Sequence, residues 1–216
     1  MSKEILRDLG VIAVLRGMTK ESILPITMAL KEGGVTAIEI TMETPHALEL
    51  IEMVSNECDS NLFVGAGTVL DSDTAQQAIQ AGAKFIFSPT VDRETIEMTK
   101  RHNVISVPGA MTPTEILTAY ECGADAVKVF PANTVGASYF KNIAGPLPHI
   151  PLIATGGVDL TNTRTFIEAG AIAVGAGSTL VNSKKELTTE SLAEITMKAN
   201  TFIEEVKSGR EAKVNI

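Results

Sequence analysis

The chain is poor in cysteine, in basic charge and in long apolar runs. Its 216 residues include two cysteines, Cys58 and Cys122, each at the end of a predicted helix. Their separation argues against a disulfide framework or a cysteine metal cluster, and points to a reducing cytoplasm. Lys and Arg total 18 against 26 Asp and Glu, a formal net charge of -8. There is no basic stripe to meet a phosphate backbone, so nucleic acid is not an expected partner. A small anion can still be held locally by a helix terminus or a single arginine. No apolar run is long enough to cross a bilayer, and Met1-Ser2-Lys3-Glu4 does not read as a secretory signal. The expectation is a cytoplasmic protein without a membrane partner.

Several catalytic signatures are missing too. There is no H-x-x-H, no paired cysteines and no cluster of Asp and Glu, so no metal or other cofactor is expected. No G-x-S-x-G elbow offers a serine nucleophile. Gly65-Ala66-Gly67-Thr68 lacks the third glycine of a dinucleotide loop.

What is present is a repeat. Four predicted helices end in a related phrase that runs straight into an apolar strand: Lys31-Glu32-Gly33-Gly34, Gln80-Ala81-Gly82-Ala83, Glu121-Cys122-Gly123-Ala124 and Glu168-Ala169-Gly170-Ala171. A glycine there takes the left-handed conformation that ends a helix and returns the chain to the sheet. Apolar patterning predicts strands over 11–15, 37–42, 62–68, 85–88, 104–107, 126–130, 152–155 and 173–174. Helical spacing runs over 20–31, 45–54, 73–81, 93–102, 113–121 and 162–169, with a short connection around 139–143 and a long last helix over 190–208. Thr19, Thr44, Asp71, Asp92, Thr112 and Asp159 stand where helix caps belong.

Eight strand–helix repeats predict an α/β fold, a (β/α)8 TIM barrel, in one domain spanning 1–216. A doubly wound open sheet is the alternative, but it typically has fewer strands and a nucleotide fingerprint. With 44% apolar residues and no Pro/Ser-rich stretch or charge block, one large core is expected.

In such a barrel the chemistry lies at the carboxyl ends of the strands. Lys128 is mid-strand in Ala126-Val127-Lys128-Val129-Phe130-Pro131, where alternation puts Ala126, Lys128 and Phe130 on one face. Apolar surroundings disfavour a charged ammonium and expose a nucleophilic amine, which forms Schiff bases with carbonyl substrates. The plainer reading is a lysine whose head reaches solvent at the strand end. Glu39, between Ile38 and Ile40, is the second anomaly. A carboxyl in a partly apolar cavity has a raised pKa and can exchange protons with substrate. Alternatively it is a structural partner of Lys128 or Arg16.

Thr155-Gly156-Gly157 and Gly175-Ala176-Gly177-Ser178 follow the seventh and eighth strands. Barrels use these loops for phosphate, because glycines let backbone amides approach an anion. Otherwise the glycines are tight-turn residues. Arg16 closes the first strand and can grip phosphate or carboxylate through a forked contact, or form a surface salt bridge. Thr68 can donate its hydroxyl to a carboxylate, or serve as an ordinary strand residue. Ser88-Pro89 and Phe130 complete the strand ends. Of the histidines, His102 and His149 read as solvent-facing, and only His46 lies near the mouth.

These residues together resemble the class I 2-keto-3-deoxy-6-phosphogluconate (KDPG) and 4-hydroxy-2-oxoglutarate (KHG) aldolases. The resemblance runs through Ala13-Val14-Leu15-Arg16, Ile38-Glu39-Ile40-Thr41, Val64-Gly65-Ala66-Gly67-Thr68-Val69, Phe87-Ser88-Pro89, Pro108-Gly109, Met111-Thr112-Pro113-Thr114-Glu115, Lys128-Val129-Phe130-Pro131, Thr155-Gly156-Gly157-Val158 and Val174-Gly175 through Ser178. It implies a homotrimer of barrels that uses no metal and cleaves a phosphorylated keto-deoxy sugar acid to pyruvate and glyceraldehyde 3-phosphate. Unphosphorylated 4-hydroxy-2-oxoglutarate and the galactonate epimer are related substrates. By resemblance Lys128 is the Schiff-base lysine, Glu39 the proton carrier and Thr68 the carboxylate contact. Pro89 and Phe130 are pocket walls, and Gly156, Gly157 and Ser178 are the phosphate end. Glu43 departs from the pattern: some members carry an arginine there to help hold the carboxylate, which leaves Arg16 as the available guanidinium. A phosphate-binding barrel that isomerises or only binds a sugar phosphate is the reading from a different class.

Overall fold

The computed structural model describes residues 2–58 and 61–214. The element order is α1 (Ser2–Leu9), β1 (Val11–Leu15), α2 (Lys20–Glu32), β2 (Ala37–Thr41), α3 (Ala47–Glu57), β3 (Phe63–Gly67), α4 (Ser72–Gln80), β4 (Phe85–Phe87), α5 (Arg93–Arg101), β5 (Ile105–Val107) and β6 (Gly109–Ala110). It continues through α6 (Pro113–Glu121), β7 (Val127–Val129), α7 (Ala132–Val135), α8 (Ala137–Ala144), β8 (Leu152–Thr155), α9 (Thr163–Glu168), β9 (Ala173–Ala176) and α10 (Thr189–Val214).

All strand pairs are parallel, in the order β5-β4-β3-β2-β1-β9-β8-β7-β6. The ninth strand comes from Pro108, which has no N–H to give the ladder and so divides the fifth stave into β5 and β6. The first half pairs with β4 and the second with β7. Asp125 N–H donates to Ser106 O, and Lys128 N–H to Pro108 O, both at 2.9 Å, drawing the two edges together. The result is a nearly closed barrel with helices between its strands, the predicted fold class.

The glycine phrases do what their pattern implies. Gly34, Gly82, Gly123 and Gly170 have φ of 91°, 105°, 103° and 118°. The amide after each donates to the carbonyl five residues back, as in Val35 to Leu30 at 3.0 Å, a Schellman closure. A fifth copy uses asparagine: Asn103 has φ 57°, and Val104 N–H donates to Thr99 O at 3.2 Å. Asparagine tolerates the left-handed region, which is why the glycine phrase did not reveal it.

Four features differ from the sequence expectations. Helix α1 was not foreseen; it ends at Gly10 (φ 67°) and drives Leu6, 1% exposed, into the amino-terminal mouth of the barrel. The expected cap at Thr44 belongs to His46, with φ 60° and no side-chain cap bond, while Thr44 accepts from Gly17 N–H at 3.0 Å. Asn162 stands at the start of α9, and Asp159 instead organises the turn before it, accepting from Thr161 and Asn162 N–H. Helix α10 continues past Gly209, where a Cβ would lie 2.9 Å from Ile167 Cβ, so this glycine permits close packing on α9 rather than ending the helix. No helix of the described residues is long and apolar enough to cross a membrane.

Strand alternation separates two cores. Outward residues such as Val11, Ile38, Ile40, Val127 and Val129 pack beneath the helices, while Ile12, Ala37, Phe85, Phe87, Ala126 and Ile153 fill the barrel with Leu6. At the amino end of β7, Asp125 Oδ2 accepts from Lys100 Nζ at 2.6 Å and from Ser106 N–H at 2.9 Å. Removing that acceptor leaves the Ser106 amide without its partner and Lys100 Nζ with only Val104 O at 3.5 Å. Asp125→Ala is therefore expected to cost about 2 kcal/mol. In a chain of this size that is a fall of about 4 to 8 °C in Tm, read by calorimetry.

Candidate active site

The inward face of the barrel changes character along each strand. Ile12, Ala37, Ala126 and Ile153 belong to the apolar interior. Two residues further on, the same faces carry Val14, Glu39, Lys128 and Thr155, which line a cavity of about 590 Å³ at the carboxyl ends. The parallel register places Val14 beside Glu39, and Lys128 between Gly109 and Ile153.

Lys128 is 5% exposed, so it does not reach bulk solvent at the strand end. Its Nζ lies 5.6 Å from the Phe87 ring centroid and 5.0 Å from that of Phe130. Both rings lie within cation–π range of the Lys128 head. Glu39 is 1% exposed, and its Oε2 has no hydrogen-bond partner. Burial pushes its carboxyl above the usual carboxylate range; the charges of Lys128 and Arg16 oppose this, and Glu43 reinforces it. Glycine makes the space for it, since a Cβ on Gly67 would overlap Glu39 Oε1.

Arg16 lines the cavity, but its guanidinium is engaged: Nε lies 3.1 Å from Glu43 Oε1. The loops carrying the two are locked together, because Gly17 N–H donates to Thr44 Oγ1 and Thr41 Oγ1 donates to Leu15 O. The departure at Glu43 thus has a geometric consequence. Glu43 holds the guanidinium that lines the cavity.

Thr68 and Pro89 lie on the same wall. Thr68 has φ 56°, a left-handed conformation that costs a β-branched residue on the order of 1 to 3 kcal/mol and persists where a site requires it. Across the cavity, Gly156 and Gly157 have φ of 93° and 70°. A Cβ on Gly156 would meet the Phe130 ring at 3.0 Å, and one on Gly175 would meet Thr155 Oγ1 at 2.6 Å. That hydroxyl is buried without a partner. Thr179 Oγ1 donates to Val158 O at 2.7 Å, tying the two glycine-rich loops together beside Ser178 on the rim.

All the predicted site residues therefore meet in one cavity. His46 does not join them: its Nδ1 lies 2.9 Å from Glu49 Oε1. His149 packs edge-on against Tyr120, and His102 ends α5.

The model of the KDPG and KHG aldolase family matches residues 2–198. This chain belongs to the KDPG and KHG aldolase family. It is 32% identical to the 2-dehydro-3-deoxy-6-phosphogalactonate aldolase of Escherichia coli, over 94% of this chain and 96% of the relative. It is 37% identical to the 2-dehydro-3-deoxy-phosphogluconate aldolase of Pseudomonas aeruginosa, over 74% and 73%. Among solved structures, it resembles the KDPG aldolase of Legionella pneumophila with pyruvate captured as a covalent carbinolamine, at a TM-score of 0.86 and 26% identity over 94% and 98%. The protein is an aldolase, a carbon–carbon lyase. The isomerising or merely binding barrel drops out with that finding.

Sequence reasoning missed part of the aldolase cavity. Val14 was legible from alternation with Ile12 and Arg16. Val158 and Thr179 follow the glycine loops directly. Asn182, Ser183 and Lys184 also line the cavity, yet they stand in an irregular loop with no period to reveal them. The crowding at Gly67 gives a direct test. Gly67→Ala is expected to push Glu39 aside and lower kcat for aldol cleavage about 10²-fold. The protein should remain folded by circular dichroism.

Proposed function

We propose that this aldolase cleaves 2-keto-3-deoxy-6-phosphogluconate to pyruvate and glyceraldehyde 3-phosphate through an imine on Lys128. The observation that carries the reading is a buried amine and a buried carboxyl, one oxygen of it unpartnered, sharing one cavity with glycine-rich loops. In its neutral form, Lys128 Nζ attacks the C2 ketone to give a carbinolamine, and loss of water gives a protonated imine. Glu39 accepts the C4 hydroxyl proton as the C3–C4 bond breaks. The aldehyde leaves, and the bonding pair flows into the imine to form an enamine. Glu39 returns the proton to C3, and water then hydrolyses the imine, freeing pyruvate and the amine.

Arg16 and Thr68 hold the carboxylate end. Pro89 and Phe130 wall the reacting carbons, and the free Thr155 hydroxyl offers a hydrogen bond to a substrate hydroxyl. Gly156, Gly157, Gly175 and Ser178 present the phosphate end. Binding energy at both ends positions the scissile bond. The covalent carbinolamine named for the Legionella relative supports the imine route. The galactonate epimer is the second reading, because the relative matched over 94% of this chain carries that name. Family resemblance supports a homotrimer, and the low cysteine count fits a cytoplasmic enzyme.

A coupled pyruvate-release assay over the two phosphorylated epimers and 4-hydroxy-2-oxoglutarate decides the substrate. The gluconate epimer should give the highest kcat/KM. A higher value for either of the others removes the assignment.

A further inference from the structure

The loop between β9 and α10 carries two adjacent lysines with different surroundings. Lys185 pairs with Glu194 of α10, which also holds Lys198 at 2.9 Å. It lines a separate cavity of about 130 Å³ beneath the loop. Lys184 lines the active-site cavity instead. The turn between them is held at both ends. Val181 is buried and its N–H donates to Gly177 O at 2.9 Å, while Asn182 Oδ1 accepts from Lys184 N–H at 3.0 Å.

The charges around the cavity give this placement its significance. Three cationic side chains line it: Arg16, Lys128 and Lys184. Arg16 is engaged with Glu43, and Lys128 is the proposed nucleophile, its Nζ between two aromatic rings. Lys184 has no acidic partner among the described residues, and it lines the same cavity as Gly157, Gly177 and Ser178. Glycine loops attract any anion through backbone dipoles. A phosphate monoester carries up to two charges, and a lysine on a flexible stem supplies a mobile counter-charge that the loops lack.

We propose that Lys184 contacts the substrate phosphate and sets the preference for phosphorylated over unphosphorylated keto acids. The inference rests on the aldolase reading above and gives the phosphate end a side chain of its own. The competing description, a solvated rim lysine, predicts no effect on either class of ligand.

Calorimetric titration with glycerol 3-phosphate, a phosphate monoester with no carbonyl, tests the contact apart from the chemistry. Lys184→Gln is expected to weaken its binding about tenfold, the scale of one charge-assisted hydrogen bond, and Lys184→Arg to restore most of it. The ratio of kcat/KM for 2-keto-3-deoxy-6-phosphogluconate to that for 4-hydroxy-2-oxoglutarate should fall by a similar factor in Lys184→Gln. Unchanged glycerol 3-phosphate affinity, absence of binding to the wild type, or equal losses on both substrates would each overturn the proposal. Trapping of pyruvate on Lys128 is a separate readout, so a failed imine mechanism and a failed phosphate contact give different results.

Discussion

Lys128→Met is expected to lose on the order of 10⁴- to 10⁶-fold in kcat, the scale on which covalent nucleophiles fail when removed. Methionine keeps the length and apolar contacts of the lysine stem, so the rings of Phe87 and Phe130 stay packed. What disappears is the only proposed electron sink. Without the imine nitrogen, the pair released from the C3–C4 bond has nowhere to go, and positioning alone does not lower that barrier. Borohydride with pyruvate should mark the Lys128 peptide of the wild type and leave the variant unmarked, read by mass spectrometry. If the wild-type peptide stays unmodified during turnover, Lys128 leaves the mechanism.

The second large effect is on Glu39. Glu39→Gln preserves shape but can neither accept nor return a proton, so kcat should fall about 10²- to 10⁴-fold. Imine formation needs no base at that position, and pyruvate should still be trapped on Lys128. Full activity in the variant would remove Glu39 as the proton carrier. The pH profile has a defined sign. Burial raises the Glu39 carboxyl against the opposing charges of Lys128 and Arg16, so its basic form is lost as pH falls through a value above the usual carboxylate range. The acid limb of kcat should lie correspondingly high.

Stability moves the other way. Between the unfolded and the raised folded value, the native state binds more protons than the unfolded one, so rising pH destabilises the fold. Urea midpoints of wild type and Glu39→Gln should therefore diverge as pH rises through that window, in favour of the variant. A buried carboxyl with an unbonded oxygen is costly to the fold, and the proposed proton transfer gives a reason for keeping it.

The periodic parts of the molecule were legible. Helix ends at Gly34, Gly82, Gly123 and Gly170 follow from a residue type that alone enters the left-handed region freely. The same end at Asn103 was hidden, because asparagine occurs in many other settings. Pro108 divided a stave where apolar patterning predicted one strand, because patterning does not register a missing donor. The predicted last helix stopped at residue 208, whereas the observed one runs on through Gly209, which packs closely on α9. In the site, Lys128 and Glu39 stood out as charged residues in apolar strands. Lys184 did not, because a lysine in a polar loop is ordinary until the fold brings it to a cavity wall.

Local chemistry by itself determined the (β/α)8 alternation and the inward face of each strand, since both depend on periods of two and 3.6 residues along the chain. The nearly closed sheet alone decided which partners those inward residues meet. It left Glu39 Oε2 unbonded, set the carboxyl beside Gly67, gave Arg16 to Glu43 and turned Lys184 to the cavity while Lys185 faced Glu194. Such pairings join residues far apart in the chain, and no local pattern encodes the distance between them.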